Sequence, residues 1–155
     1  MRITKQIAEH LRQVYFGGNW TYSDMKNVLA DISCEQASKK IDSFNTIAVL
    51  VFHTNYFVCV AIMVLRGEPL TAHDKYSFDL PPNLTDEGWQ KLKAKSFTDA
   101  ETLALLIEQL PENKLWDDFA DKKYGNYYRN LHGIIEHTHY HLGQIAILKK
   151  LTVGQ

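Results

Sequence analysis

The run TIAVLVFHTNYFVCVAIMVL, residues 46–65, constrains this chain more than any other feature. At ~20 residues it is long enough for a tilted membrane-spanning helix. It is far longer than a strand of ~5–6 residues, although its valines favour extended structure. No turn residue divides it. His53, Thr54 and Asn55 stand at its middle, where polar side chains facing lipid are costly. The run, about 44–65, is therefore expected to be a buried helix inside a soluble helical bundle.

The rest of the chain supplies partners for such a helix. Ile7, Leu11, Val14 and Tyr15 recur at helical spacing over 3–15, and Gly17, Gly18 and Asn19 end that helix. Thr21 or Ser23 is placed to cap a short helix over 24–32, and Ser33 another over 34–41. A polar connection with Gly67, Pro69, Pro81 and Pro82 fills 66–84. Thr85 or Asp86 caps a turn through Trp89. A separate amphipathic helix is expected over 97–110, capped by Thr98 or Asp99 and stopped by Pro111. After a second connection over 112–124, a final helix runs from about 126 to 151, with Gly154 beyond its end. Four substantial helices, no strand and one long crossover between the second and third read as an all-α four-helix bundle in a single domain, 1–155.

Composition narrows the function. The chain has 155 residues, with 17 Lys and Arg against 18 Asp and Glu. That balance argues against a nucleic-acid binder or a polybasic membrane-surface protein. Only Cys34 and Cys59 are present, which is no disulfide framework, and no secretory signal opens the chain; a reducing, cytoplasmic setting is expected. Histidine is plentiful at seven, four of them within 132–141.

Helical spacing sorts these histidines. His137 and His141, four apart, share a face with Ile134, Ile145 and Leu148, the inward stripe of the last helix. His132 and His139 lie on another face with Arg129, Ala146 and Lys150, read as solvated; His10 and His73 are read as surface residues. Two inward imidazoles need partners for their ring nitrogens. A metal ion meets that need, and His53 on the second long helix offers a third nitrogen. Core packing and hydrogen bonding remain the alternative reading for each histidine. The residues between His137 and His141 lack the glutamate of the zincin motif, so that peptidase chemistry is not expected. Cys59 is read as inert core; Cys34, in a helix-start segment, has room to be exposed, but nothing nearby makes it a nucleophile. Gln144, one turn beyond His141, is a candidate to orient a ligand. Tyr56, one turn from His53, is a candidate donor to a developing anion.

The segment LHGIIEHTHYHLGQIAILKK, residues 131–150, resembles the C-terminal H-x-x-x-H-x-G-Q-I signature of the DinB-like family of damage-inducible, metal-dependent proteins. The histidine in LVFHTNYF resembles that family's ligand on its second helix. Trp20, the Trp89 segment and the chain length also fit. The resemblance implies an up-down-down-up bundle, often a homodimer. It implies a divalent metal, commonly zinc or nickel, held by His53, His137 and His141. It further implies a transferase using a low-molecular-weight thiol such as bacillithiol or mycothiol on a small-molecule substrate, with metal-dependent hydrolysis as a sibling activity. A non-enzymatic metal-binding role in a stress response is the alternative.

Overall fold

The computed structural model describes residues 2–153; the predicted stop at Gly154 lies outside them. The described residues form six α-helices: α1 (Ile3–Phe16), α2 (Met25–Leu29), α3 (Cys34–Ser38), α4 (Ile47–Leu65), α5 (Asp86–Gln109) and α6 (Tyr127–Val153). Three short 3-10 turns, Asp74–Phe78, Glu112–Trp116 and Lys122–Tyr124, punctuate the connections. No strand forms among the described residues; the extended backbone makes one isolated bridge, Asp118 to Asn126.

The long apolar run is the helix α4. The Thr46 side chain accepts from the Val49 amide at its start. Gly67 takes φ +84° just past its end, a left-handed position that suits glycine. Although α4 is long and apolar enough to cross a membrane, 61% of its most apolar stretch is buried against the rest of the chain. Burial on several sides overrides the strand preference of its valines. Its polar triplet turns in three directions. Thr54 Oγ donates to its own helix at Leu50 O, 3.1 Å. Asn55 Nδ2 donates to Asp99 Oδ2 on α5, 2.9 Å. His53 points toward α6.

Side-chain pairings fix the helix directions. Arg2 donates to the Glu108 carbonyl and Phe16 meets Phe97, so α1 and α5 are antiparallel. Leu50 adjoins Leu148, and Phe57 adjoins Ile134, so α4 and α6 are antiparallel. Ile7 adjoins Tyr128 and His10 meets His139, so α1 and α6 are parallel. The long helices therefore run up, down, down, up, and the 66–85 crossover joins the parallel pair α4 and α5.

The core draws on all four long helices. Tyr15, Leu11, Val51, Trp89, Leu103, Ile135 and Ile145 are essentially inaccessible. Trp89 also bridges segments, because its indole donates to the Ile32 carbonyl, 2.8 Å. On the α1–α5 seam, Arg12 forks across Glu101 and Glu108.

Two boundaries differ from the sequence reading. Residues 86–109 form one helix rather than a turn followed by a helix. Thr85 caps it through the Gly88 amide, 3.1 Å. Thr98 and Asp99 sit mid-helix, because the Asp99 carboxylate is taken by Asn55, Lys95 and Cys59 instead of by a helix start. The cap of α2 is Asp24, accepting from the Asn27 amide at 2.8 Å, rather than Thr21 or Ser23. Ser33 does cap α3, in a reciprocal box with Gln36.

Replacing Trp89 with alanine should remove both its core volume and its bond to Ile32. The expected loss is about 3–5 kcal/mol in urea denaturation, the range for large aromatic truncations. A loss under about 1 kcal/mol would contradict this packing.

Candidate metal centre

Three imidazoles meet where α4 crosses α6. His53 Nε2 lies 2.9 Å from His137 Nε2, and His141 Nε2 lies 3.0 Å from the same atom. All three ligand atoms fall within 4.8 Å of one another. His53 and His141 are buried, at 5% and 8% exposure, while His137 is half-buried. The i, i+4 spacing on α6 sets two rings on one face, and the antiparallel register of α4 brings the third against them.

Each buried histidine is oriented from its other nitrogen. His53 Nδ1–H donates to Ser77 Oγ, 2.8 Å, and that hydroxyl donates onward to the Asp74 carbonyl, 2.6 Å. His141 Nδ1–H donates to Gln144 Oε1, 2.7 Å. Both rings therefore carry their proton on Nδ1 and turn a bare Nε2 lone pair inward. His137 can supply at most one proton to two waiting lone pairs. Protonating His137 or His53 is opposed. Burial first, then the charges of His141 and His53, push His137 down to about 4. Burial and then His141 push His53 below its usual value. A cation satisfies all three nitrogens at once. Tetrahedral coordination at zinc distances needs nitrogens about 3.3 Å apart, so His53 and His141 each need move only a few tenths of an ångström from His137, and the third pair already lies within 4.8 Å.

Aromatic rings pack around the cluster. Phe78 stacks on His53 with centroids 4.1 Å apart, and Phe57 meets both His53 and His137 edge-on. Beyond Phe57 a cleft of about 400 Å³ opens on His137. Four of its lining residues, Phe57, Tyr124, Asn130 and Ile134, also line an adjoining cleft of about 410 Å³.

The other candidates fall differently. Gln144 touches the site, but through His141. The Tyr56 hydroxyl is committed to the crossover: it donates to the His73 carbonyl and accepts from the His73 amide, both at 3.0 Å. It thereby pins the segment that delivers Ser77. His10 and His73 are exposed, as expected. His132 and His139 are half-buried rather than solvated, because α1 packs on that face and brings His10 against them. Burial and His10 lower both. Cys34 is buried, not exposed. Cys59 is partly covered and bonded to Asp99, 3.1 Å. Burial first, and then that carboxylate, raise its thiol to about 11, so it is inert as a nucleophile.

Sequence reasoning missed Ser77, Asp74 and Phe78. They sit in the crossover, whose unusual length was the one signal that it carries function.

No protein-family model matches the chain, and no curated protein or solved structure shows significant similarity to it. Its class is defined by its own fold and site: an all-α helical bundle whose core holds three histidines that could bind a metal ion.

Two expectations follow from this geometry. Removing the outer partner of a ligand, by Ser77→Ala or Gln144→Ala, should weaken metal affinity roughly 10–100-fold in a chelator competition; unchanged affinity would contradict the orienting role. In the ion-free chain, unfolded His137 takes its proton near 6.5 but the folded residue waits until about 4. The unfolded state therefore binds more protons in that window, and stability should fall as pH drops through it. Thermal melts should show this decline, shallower in His137→Gln; identical slopes would contradict it.

Proposed function

We propose that this chain is a DinB-like metal-dependent protein. In this reading His53, His137 and His141 hold one divalent ion, zinc or nickel, and the protein transfers a small thiol to an electrophilic small molecule. The observation that carries the reading is the convergence of three Nε2 atoms with too few protons to pair them. The H-x-x-x-H-x-G-Q-I pattern of residues 137–145 adds the family resemblance.

An ion held by the three imidazoles supplies Lewis acidity and lowers the pKa of a thiol or water in its remaining position. The chain's own groups arrange the rest. Ser77 and Gln144 hold two ligand rings in one tautomer. Phe57 and Phe78 keep water from the ligand rings. The cleft beyond Phe57 gives an electrophile access from the His137 side. The balanced reaction joins sulfur to the electrophilic carbon and releases the leaving group with the thiol's proton. The thiol is supplied as a cosubstrate, because Cys34 is buried and the Cys59 thiol is held protonated by burial and by Asp99.

A purely structural ion is less well supported. Among the described residues no fourth His, Cys or carboxylate joins the cluster, and the least covered ligand, His137, faces a cleft rather than packed core. Hydrolysis uses the same open position and is favoured if water rather than thiol responds. The reading carries with it a cytoplasmic setting and a homodimer; exposed Phe44, Ile147 and Leu151 form an apolar surface suited to a second copy.

Tag-free protein should hold one metal ion per chain by elemental analysis, and His137→Ala with His141→Ala should hold none. Cobalt-loaded protein should change its visible spectrum on adding mercaptoethanol. A metal-replete preparation without bound ion would overturn the site. A bound ion with no response to any thiol would overturn the transferase reading.

A further inference from the structure

The geometry points to a thiol or electrophile bearing a carboxylate or phosphate at its far end, recognised by Arg129 and Lys123 at the outer mouth of the cleft. This deepens the proposed reading and rests on it.

Arg129, Gly133 and His137 follow one another at four-residue intervals, each step turning about 40° around α6, so Arg129 stands at the border between the His132 face and the His137 face. Arg129 lies two turns, about 12 Å along the axis, from the ligand His137. All three line the same cleft, together with Lys123. Gly133 is the unexpected member. A glycine inside a helix weakens it relative to alanine, and here no packing demands it: a Cβ at Gly133 would meet nothing within 4 Å. Its bareness clears the floor between the inner ligand and the outer cations.

The cations are available. The Arg129 guanidinium makes no ion pair or hydrogen bond among the described residues, and its stem is seated on Gly125, where a Cβ would come within 3.1 Å of Arg129 Cδ. Lys123 Nζ lies 3.9 Å from Asp121 and 4.9 Å from the centre of the Tyr124 ring, so no close ion pair holds it. No carboxylate lines this cleft; Asp74 lines the adjoining one and lies close to the Ser77 hydroxyl, 3.3 Å. A guanidinium presents a planar fork that fits carboxylate or phosphate oxygens. The ligand this arrangement selects is an extended chain, reacting at the His137 end and anionic at the Arg129 end.

The test uses cobalt-loaded protein and a matched pair of probes, ω-mercaptohexanoate and ω-mercaptohexanol, followed by the visible spectrum. The acid should bind about tenfold tighter than the alcohol, as expected for a charge-assisted pair. Arg129→Gln with Lys123→Gln should bring the two affinities to within about twofold while leaving the alcohol unchanged. Gly133→Val should weaken both probes and raise the melting temperature or leave it unaltered. Equal affinities in the unsubstituted protein, or an acid preference that survives the double substitution and so belongs to the ion alone, would overturn the inference while the thiol reading stands. Spectral silence toward both probes would overturn the thiol reading and this inference together. Replacing both thiols with ω-phosphonate analogues separates phosphate from carboxylate as the preferred group; rejection of both anions in favour of the alcohol also overturns it.

Discussion

Too few protons for three imidazole nitrogens is the constraint on which the rest of this molecule turns. Two lone pairs, on His53 and His141, are fixed inward by bonds to Ser77 and Gln144, and a third nitrogen from His137 stands within 3.0 Å of both. Burial, and then the neighbouring imidazoles, hold His53 and His137 below the usual histidine range, so these two rings resist taking up protons. A buried polar group without a partner costs on the order of 1–3 kcal/mol, and evolution of an apolar core at these positions would have been the simpler packing solution. The arrangement has a direct physical rationale when a cation lies among the rings.

The fold is arranged to present that cluster. Antiparallel α4 and α6 bring one histidine opposite two. Parallel α4 and α5 require a long return, and that return carries Ser77 and Phe78 back onto the face of His53. Tyr56 and the Gly67 turn hold the return in place. On the opposite face of α4, Asn55 and Cys59 gather around Asp99, so one apolar helix carries two distinct polar contacts. The connection is thus part of the site rather than a tether.

Much of this was legible in the chain. The length of the 46–65 run decided helix over strand, and the i, i+4 histidines chose the inward face of α6. The solvated label on His132 and His139 failed because helical periodicity divides a helix into faces but does not say how many neighbours it has; α1 covers the second face. The division of α5 failed because Asp99 looks like a cap locally, and its partners Asn55 and Cys59 lie some 40 residues away in sequence. Ser77 carried no motif, since its role comes from a crossover folding back. Gly133 drew no reading from the sequence, because its role depends on the cleft above it.

X-ray absorption at the edge of a zinc-loaded sample tests the central claim most directly. The account predicts a first shell of three imidazole nitrogens and one exchangeable light atom, with sulfur at about 2.3 Å replacing that atom when a thiol is added. A shell with fewer than two imidazoles, or a closed set of protein ligands indifferent to thiol, would contradict it.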